Sequence, residues 1–502
     1  VNNSGSLIPE VPCWVNLCDA FAENQKGTSV VKRIKGKLYY NVRQTQQYYI
    51  HALNFVHGKY YDWAFHIGEW YNPEFVAKEV LAEHKGIWIH TDLNAAKYID
   101  ESFFQYSDYF DRYIFVSQSS LKASCQKYKF LRKKAIIIHN INDVGDIRSK
   151  AEQKLKVLPK KKDLTVVTVA NIRPEKNHIR QIEVMKRLKE QGIDFYWWNI
   201  GSLANETLCK QVKELIKRYG LEKEFILLGA QENPYPFIKN ADVVACLSDY
   251  ESWSMVITEA KILGKPVVAT KTSGAIEQII DSYTGFLTEF TVENISRILS
   301  KVLKDENLRN CVSENLKNYD ETSQIILEFE ELVNNEPKQN NRDNSILYII
   351  DDVNYQGGAH NATVNQIKSL ICQGKQVDIF SGTSPCVQVR NELDQVDFFS
   401  WGNIVEDQLY HERLFSCMLN TARSKDEKKY KLKMSCHAKK NPHFDIFIEY
   451  VKPKVTNFFS KYEIVCIMSE GSNYKKEVAL SNAQKKIQWI HIDYKYWAEK
   501  VD

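Results

Sequence analysis

The sequence lacks several features that would assign it quickly to a common class. None of its 11 cysteines forms a C-x-x-C pair, so neither a zinc site of that kind nor a thioredoxin-like redox motif is expected. No apolar run approaches the ~18 residues that a membrane-spanning helix needs. The net charge of +4 over 502 residues is nearly balanced, so we expect no nucleic acid as a partner.

The motifs of several enzyme classes are also missing. The chain has no H-E-x-x-H zinc motif, no G-x-S-x-G nucleophile turn and no P-loop. Scattered single cysteines are typical of buried thiols in a reducing compartment. These absences favour a cytoplasmic protein whose chemistry depends on other residue patterns.

What the sequence does contain is an alternation of apolar strands with amphipathic helices. This alternation predicts an α/β protein with doubly wound parallel sheets, whose ligands bind beyond the carboxyl ends of the strands. A polar stretch, lacking apolar periodicity, separates two such regions. The domains expected from these patterns are 1–150, 151–336, a linker over 337–344, and 345–502.

The chain also repeats itself with a shift of 401 residues. The segment Trp88-Ile89-His90-Thr91-Asp92 recurs as Trp489-Ile490-His491-Ile492-Asp493, and no gap is needed. A shared pattern at matching places in two strand–helix regions predicts two copies of one fold in tandem. We therefore expect a fragment in which the first copy lacks its opening strands and the second is cut at Asp502.

One segment carries the strongest chemical signal. Ser254 is a good helix N-cap, apolar residues follow at helical spacing, and Gly264 is a helix stop. The amides at such a helix start suit a diphosphate. Glu251 and Glu259 stand on either side of this start, so each carboxylate could hold sugar hydroxyls. The pattern predicts a nucleotide-sugar site.

The spacing from Glu251 to Glu259 resembles the E-x7-E motif of the retaining family-4 glycosyltransferases. Pro174-Glu175-Lys176 resembles the phosphate-clamping loop of that family, and His139-Asn140 with Asp143 resembles the exit from its first domain. The resemblance implies the GT-B fold, in which two Rossmann-like domains face each other across a cleft. The chain departs from the family pattern at Ser252 and Ser254, where glycines are usual.

The resemblance also implies roles for individual residues. Glu251 would hold the transferred sugar, Glu259 the ribose, and Lys176 the donor diphosphate. Asn171 occupies the usual arginine position of the clamp, and Arg173 stands two residues later as a possible substitute. The remaining donor-binding residues are expected around the helix start, at Ser252, Trp253, Ser254 and Met255.

Further expectations concern the first domain and the second copy. His90 ends a strand at the place of the family histidine that faces the transferred sugar, so we expect a catalytic or sugar-binding role. In the second copy, Gly357 and Gly358 resemble the glycine-rich first loop, and His491 repeats His90. Ser273-Gly274-Ala275 with Glu277 resembles a later family segment, which we interpret as scaffold.

The implied reaction is transfer of a sugar, with retention, from a nucleoside diphosphate sugar to a hydroxyl. A glycan or a lipid-linked molecule would be the acceptor, in the synthesis of cell-surface polysaccharide or glycolipid. No metal or other cofactor is expected, since this fold generally works without one. Lysine clusters leave open a peripheral contact with the inner face of the membrane.

Two other functions remain open at this point. The serines in the phosphate loop and the missing clamp arginine fit a non-catalytic module that binds sugar nucleotides or acts as a scaffold. A sugar-nucleotide epimerase of the same architecture is the third option. A separate structural hypothesis is that 345–401 folds back to complete the first sheet.

Overall fold

The computed structural model describes residues 59–154, 164–334, 345–400 and 456–489, apart from short gaps within three of these ranges, and two isolated positions before them. Three parallel sheets account for its strands. Within the described ranges, no helix combines the length and apolar character that crossing a bilayer requires. The expected α/β class with Rossmann-like parallel sheets is confirmed.

The first sheet has four strands in the order β1-β2-β3-β4. The strands are β1 (Tyr60–Ile67), β2 (Leu81–Ile89), β3 (Arg112–Phe115) and β4 (Ala135–Ile137), and the helices are α1 (Glu74–Glu79), α2 (Gln118–Lys127) and α3 (Val144–Ala151). Two 3₁₀ helices, Glu101–Tyr109 and Lys129–Leu131, complete this layer. One face of the sheet buries Ile87 and Phe115 in a core rich in aromatic side chains.

The second sheet has six strands in the order β10-β9-β8-β5-β6-β7. The strands are β5 (Thr165–Val169), β6 (Tyr196–Ile200), β7 (Phe225–Gly229), β8 (Val243–Cys246), β9 (Val267–Thr270) and β10 (Phe286–Thr288). Its helices are α4 (His178–Glu190), α5 (Glu206–Arg218), α6 (Tyr235–Asn240), α7 (Met255–Ile262), α8 (Ser273–Gln278), α9 (Val292–Lys304), α10 (Glu306–Asn315) and α11 (Thr322–Asn334).

Both faces of the second sheet are covered. Alternate residues of a strand point to opposite faces, and here Val166 and Val167 enter two different cores, as do Trp197 and Trp198. Strands that are buried on both faces, such as Thr165–Val169, therefore form because each face has its own layer of helices.

The last helix of this region returns to the first sheet. Ile325 and Leu332 of α11 pack against Ile114 and Ile138, and the Trp63 indole donates to the Val333 carbonyl at 3.4 Å. We expected 151–336 as one domain, but α11 lies within that range and covers the free face of the first sheet. The contact ties the two domains together at the side of the cleft.

The third sheet has five strands in the order β13-β12-β11-β14-β15. The strands are β11 (Ser345–Ile350), β12 (Gln376–Ser381), β13 (Asp397–Phe399), β14 (Ile464–Ile467) and β15 (Lys485–Gln488), and the helices are α12 (Gly358–Cys372), α13 (Val387–Glu392) and α14 (Lys475–Leu480). Strand β11 pairs with β12 and β14 and, among the described pairings, with no strand of the first sheet. The fold-back hypothesis is therefore wrong.

The third sheet repeats part of the first in register as well as in sequence. Helix α14 begins 401 residues after α1, since 475 − 74 = 401. Strand β14 pairs with β15 as β1 pairs with β2: Ile464 lies opposite Lys485, and Trp63 lies opposite His84. The same local sequence pattern thus produces the same strand–helix–strand unit twice.

A buried ion pair joins the third sheet to the first domain. The Arg390 guanidinium on α13 donates two hydrogen bonds to the Asp108 carboxylate, at 2.5 and 2.9 Å, and the two side chains are 3% and 6% exposed. Beside this pair, the Asn391 side chain makes two hydrogen bonds. Its oxygen accepts from the Lys129 backbone amide at 2.7 Å, and its nitrogen donates to the Lys127 backbone carbonyl at 2.8 Å. These directional bonds define how the two units contact each other.

Candidate active site

The topology of the second sheet places a crevice between β5 and β8. The chain runs from β5 outward to β7 on one side and from β8 outward to β10 on the other. Ligands of open α/β sheets bind at the carboxyl ends of the strands where the order reverses in this way. A small cleft that opens to solvent lies there, lined by both strand ends together with Lys176, Glu251 and Ser254.

Lys176 and Glu251 face each other across this crevice. Lys176 ends the 3₁₀ turn Pro174–Lys176 that follows β5, and Glu251 lies in the loop that follows β8. The Lys176 ammonium bonds one carboxylate oxygen of Glu251, and the Ser248 hydroxyl donates to the same oxygen at 2.9 Å. The side chains are 25% and 12% exposed. The crevice thus holds one cation and one carboxylate, each within reach of solvent.

Asp249 fastens the two loops to each other. Its carboxylate accepts from the Arg180 guanidinium at 2.5 Å and from the Asn177 amide at 2.9 Å, and its own amide donates to the Glu175 carbonyl at 2.8 Å. Arg180 also donates to the Leu247 carbonyl at 2.5 Å. Because charge-assisted bonds are directional, this cluster sets the separation of Lys176 and Glu251.

Sequence reasoning missed Asp249 and Arg180. One signal was present: Arg180 lies four and eight residues before Val184 and Leu188, so it belongs to the buried stripe of α4. A charged residue in an apolar stripe predicts a buried partner. The sequence held no indication of which residue that partner is.

The start of α7 agrees in position with the expected phosphate site, but its donors are partly occupied. Ser254 is the N-cap, and its backbone amide donates to the Gln278 side chain at 2.9 Å, while its carbonyl accepts from Gln278 at 2.8 Å. The first-turn amides that follow have no acceptor within the helix. Met255, the first helical residue, is 37% exposed, so this end of α7 faces solvent.

The other residues expected around this helix start are held by protein contacts. The Ser252 hydroxyl lies 2.7 Å from the Tyr250 hydroxyl, and the Ser254 hydroxyl lies 3.6 Å from the Cys246 sulfur. The Trp253 ring packs on His139 with ring centroids 4.6 Å apart. These side chains therefore shape the loop, and the first-turn amides of α7 after Ser254 are the donors proposed for a ligand.

Glu259 lies one turn further along α7, outside the small cleft. Burial raises the pKa of Glu259 to about 7, and a hydrogen bond with Tyr235 partly opposes that rise. Tyr235 begins α6 directly after the loop that follows β7. The structure therefore places Glu259 between the helix start and the β7 loop, with a carboxyl group that changes charge near neutral pH.

Asn171 and Arg173 do not converge on Lys176. The Asn171 side-chain oxygen accepts from the Ser202 amide at 2.7 Å. Arg173 is 64% exposed, and its nearest carboxylate, that of Glu175, is 4.0 Å away. In this arrangement Lys176 is the cation that reaches the crevice from this loop.

His90 lies on the opposite side of the interdomain contact. Its backbone amide donates to the Glu69 carboxylate at 3.0 Å. Burial lowers the pKa of the His90 imidazole, although Glu69 and Asn140 oppose that shift, so the ring is neutral at neutral pH. The next residue, Thr91, meets the Tyr250 hydroxyl at 3.1 Å. His90 and Glu251 therefore each lie one residue from the same contact between the domains.

The remaining predicted positions belong to the third sheet. Gly358 begins α12, while Gly357 and His491 lie outside the described residues. No group of three or more His, Cys, Asp or Glu side chains that could hold a metal ion occurs in the part of the chain that the structure describes.

Comparisons with known proteins match the part of the chain that holds this crevice to glycosyltransferases. Residues 149–319 match the family model for glycosyl transferases group 1. A relative in Campylobacter jejuni is the N-acetylgalactosamine-N,N'-diacetylbacillosaminyl-diphospho-undecaprenol 4-alpha-N-acetylgalactosaminyltransferase. The two proteins are 30% identical over 203 residues, and this alignment covers 40% of this chain and 53% of the relative. The segment with Lys176, Glu251 and Glu259 is therefore similar to a group of sugar-transferring enzymes.

Two further likenesses are more distant. The capsular polysaccharide biosynthesis glycosyltransferase CapM of Staphylococcus aureus is 27% identical over 164 residues, which is 32% of this chain and 43% of that protein. A solved glycosyltransferase structure from Rickettsia africae has a TM-score of 0.47 at 18% identity, covering 62% of this chain and 83% of that one. The chain spans about half the length, or less, of the two curated relatives named here.

Proposed function

We propose that this chain transfers a sugar from a nucleoside diphosphate sugar to a hydroxyl acceptor. One observation carries the proposal: a lysine and a glutamate face each other at the reversal point of a parallel sheet, within the segment that matches the transferase model. A cation beside a helix start suits a diphosphate, and a carboxylate beside both suits sugar hydroxyls. The arrangement therefore fits a sugar attached to a diphosphate.

In this proposal the donor rearranges the Lys176–Glu251 pair. Lys176 and the first-turn amides of α7 bind the diphosphate, on which the negative charge of the leaving group develops. Glu251 loses its ion-pair partner and accepts hydrogen bonds from the hydroxyls of the transferred sugar. Ser248 stays bonded to Glu251 and keeps the carboxylate oriented.

Glu259 is the proposed ribose contact. A carboxylate accepts hydrogen bonds from two neighbouring hydroxyls, so ribose binding favours the ionised form over the neutral form. The raised pKa of Glu259 means that donor binding near neutral pH would displace a proton from this group. Tyr235 beside it would support the same contact.

Retention and independence from metal are further parts of the proposal. They rest on the resemblance of the Glu251–Glu259 segment to the retaining family-4 enzymes. His90 would face the transferred sugar from the first domain, where its neutral ring can donate one hydrogen bond and accept another. Transfer is expected to continue in the presence of a chelator.

The acceptor and location are proposed from the relatives. The names of the C. jejuni and S. aureus proteins refer to a diphospho-undecaprenol-linked sugar and to capsular polysaccharide. We accordingly propose a glycan or lipid-linked acceptor, used at the cytoplasmic face of a membrane. We also propose that 345–502 is the start of a second transferase copy, because its β14–α14–β15 unit repeats β1–α1–β2 in register.

The test measures nucleotide binding and sugar transfer separately in the full chain. Lys176→Met should weaken UDP or GDP binding by about 10-fold or more, since a charge-assisted bond contributes about 1.5–3 kcal/mol. Glu251→Gln should bind the free nucleoside diphosphate a few-fold more tightly, because the carboxylate no longer competes for Lys176. The same variant should lose about 100-fold in turnover.

The controls and contrary outcomes are distinct. Glu293→Gln removes an equal charge from an exposed pair with Arg187, away from the crevice, and should change neither quantity. Binding without turnover across a panel of nucleotide sugars would favour the scaffold function. Conversion of the donor without any acceptor would indicate an epimerase.

A further inference from the structure

A carboxylate of the second domain binds the start of a helix in the first domain. Glu277 lies on α8, and its two oxygens accept from the backbone amides of Gln118 at 2.8 Å and Ser119 at 2.6 Å. These are the first two residues of α2. The contact crosses from the second sheet region to the first.

The geometry of this contact is directional. The first backbone amides of a helix have no intrahelical acceptor. The Ser117 hydroxyl accepts a hydrogen bond from the Ser120 backbone amide, at 3.2 Å, and not from those of Gln118 and Ser119. Glu277 completes the cap with two parallel charge-assisted bonds, which the positive end of the helix favours. Two bonds to one planar group fix both the distance and the orientation of α2 relative to α8.

Helix α8 also supports the loop that carries Glu251. The Gly274 amide donates to the Glu251 carbonyl at 2.9 Å, and Gln278 bonds both backbone groups of Ser254. One short helix therefore contacts the site loop through Gly274 and Gln278 and the first domain through Glu277. A movement between the domains at α2 would be transmitted to Glu251 by this helix.

The second cross-domain contact lies close to the proposed reacting groups. Thr91 meets Tyr250 at 3.1 Å, and these residues are the chain neighbours of His90 and Glu251. This hydroxyl–hydroxyl contact is a single neutral hydrogen bond, weaker than the two charged bonds of Glu277. The Glu277 contact is therefore the stronger polar restraint of the two on the separation of His90 and Glu251.

We propose that Glu277 is a positioning residue for sugar transfer, which holds α2 against α8 so that His90 faces Glu251 across the cleft. This inference rests on the proposed function and assigns a specific interdomain role to a residue interpreted from sequence as scaffold. Glu277 is not among the residues that line the crevice, and its two carboxylate oxygens bond the first amides of α2. Its removal should therefore affect transfer and leave donor binding intact.

Two substitutions weaken the contact from opposite sides. Glu277→Gln removes the charge and one of the two acceptor oxygens. Gln118→Pro removes the donor amide at the first helical position, where proline is well tolerated. The preceding Ser117 is extended, with φ −154° and ψ 151°, as the residue before a proline prefers. The matched control is Glu293→Gln, whose exposed carboxylate pairs with Arg187.

The first readout is hydrogen exchange of the Gln118 and Ser119 amides in the full chain. In Glu277→Gln both amides should exchange about 10-fold faster or more, while Glu293→Gln leaves them unchanged. Unchanged exchange in Glu277→Gln would overturn the proposal. This readout needs no substrate, so it stands even if no nucleotide sugar is turned over and the proposed function fails.

The second readout separates positioning from general stability. Each variant should lose about 10-fold in kcat, as misplacement of reacting groups does, with UDP or GDP affinity unchanged within about twofold. The double variant should lose less than the product of the two single losses, because both substitutions act on the same contact. Unchanged kcat, a parallel loss of nucleotide binding, or additive losses in the double variant would each overturn the proposal.

Discussion

At the scale of single residues, Glu259 carries an ionisable group in an unfavourable place. Its carboxyl is largely buried on α7, and no cation is among the causes of its pKa, which burial raises to about 7. A carboxylate in such a place lowers the stability of the folded chain whenever it is ionised. Groups with this property are common where a ligand supplies the missing partners.

The first prediction concerns pH and stability. The pKa of Glu259 is higher in the folded chain than in the unfolded chain, so the folded chain binds more protons between about pH 4.5 and 7. Neutral Glu259 therefore makes its full contribution to the free energy of unfolding below pH 4.5, and this contribution is lost as the pH rises through 7. Glu259→Gln should be more stable than the wild type at pH 8 by roughly 1–3 kcal/mol.

Urea denaturation at pH 8 and pH 4.5 checks this prediction. The difference between the two proteins should shrink towards zero at the lower pH, and the variant should bind nucleoside diphosphates more weakly. Glu289→Gln, which alters an exposed pair with Lys271, should show no such pH dependence. A Glu259→Gln variant that is less stable than the wild type at pH 8 would contradict the account.

Local patterns indicate candidate site residues but not their partners. Lys176 and Glu251 can be proposed from sequence because helix starts and strand ends have short-range signals. Their mutual bond spans 75 positions of the chain, and it follows from the order of β5 and β8 in the sheet. The Asp249–Arg180 pair has the same origin, and this is why pattern reasoning missed it.

At the scale of elements, the site depends on how closely α8 approaches the Glu251 loop. A Cβ built on Gly274 would lie 2.6 Å from the Ser252 carbonyl oxygen and 2.9 Å from that of Glu251. These are backbone atoms, which cannot rotate away as a side chain can. Glycine is therefore required here by close approach of two backbones.

The second prediction follows from that approach. Gly274→Ala should displace the loop that carries Glu251 and lower transfer by about 10-fold or more, with a stability loss of about 1–3 kcal/mol from overpacking. Gly145→Ala is the control, since its Cβ would meet only the Asp143 carboxylate at 3.4 Å. Kinetic assays and thermal melting of both variants check the result. Equal activities in the two variants would exclude a tight contact at Gly274.

Elements with local signals were predicted well, and those made by tertiary contacts were not. The helix expected after Ser254 runs from Met255 to Ile262, and Gly264 beyond it has φ +66°. The sequence pattern predicts a strand over 86–90 and none over 60–67, whereas the structure has β1 at Tyr60–Ile67 and β2 at Leu81–Ile89. The segment 81–85 contains three ionisable side chains, and pairing with β1 extends the strand through them.

At the scale of the whole molecule, three sets of contacts join the sheet regions. Helix α11 covers the first sheet, Glu277 bonds the start of α2, and the Arg390–Asp108 pair attaches the third sheet to the first domain. Strand order in each sheet explains where the crevice lies, since the reversal point of the second sheet coincides with the Lys176–Glu251 pair.

The partners of β11 could not be predicted from the sequence. The continuous apolar run Ile346–Ile350 predicts a strand, and by sequence pattern alone it could equally have completed the first sheet. The sequence pattern of a strand does not indicate which sheet the strand joins, because the edge of any parallel sheet offers similar hydrogen bonds. Its pairing with β14, 118 residues away at Ile346 and Ile464, was decided by tertiary packing.

The most direct measurement is a crystal structure of the full chain with UDP and, in parallel, with GDP. We expect the diphosphate to lie within hydrogen-bonding distance of the Lys176 ammonium and the first-turn amides of α7, with the Lys176–Glu251 bond broken. A nucleotide bound elsewhere, or bound while that pair remains intact, would show that this crevice is not the donor site.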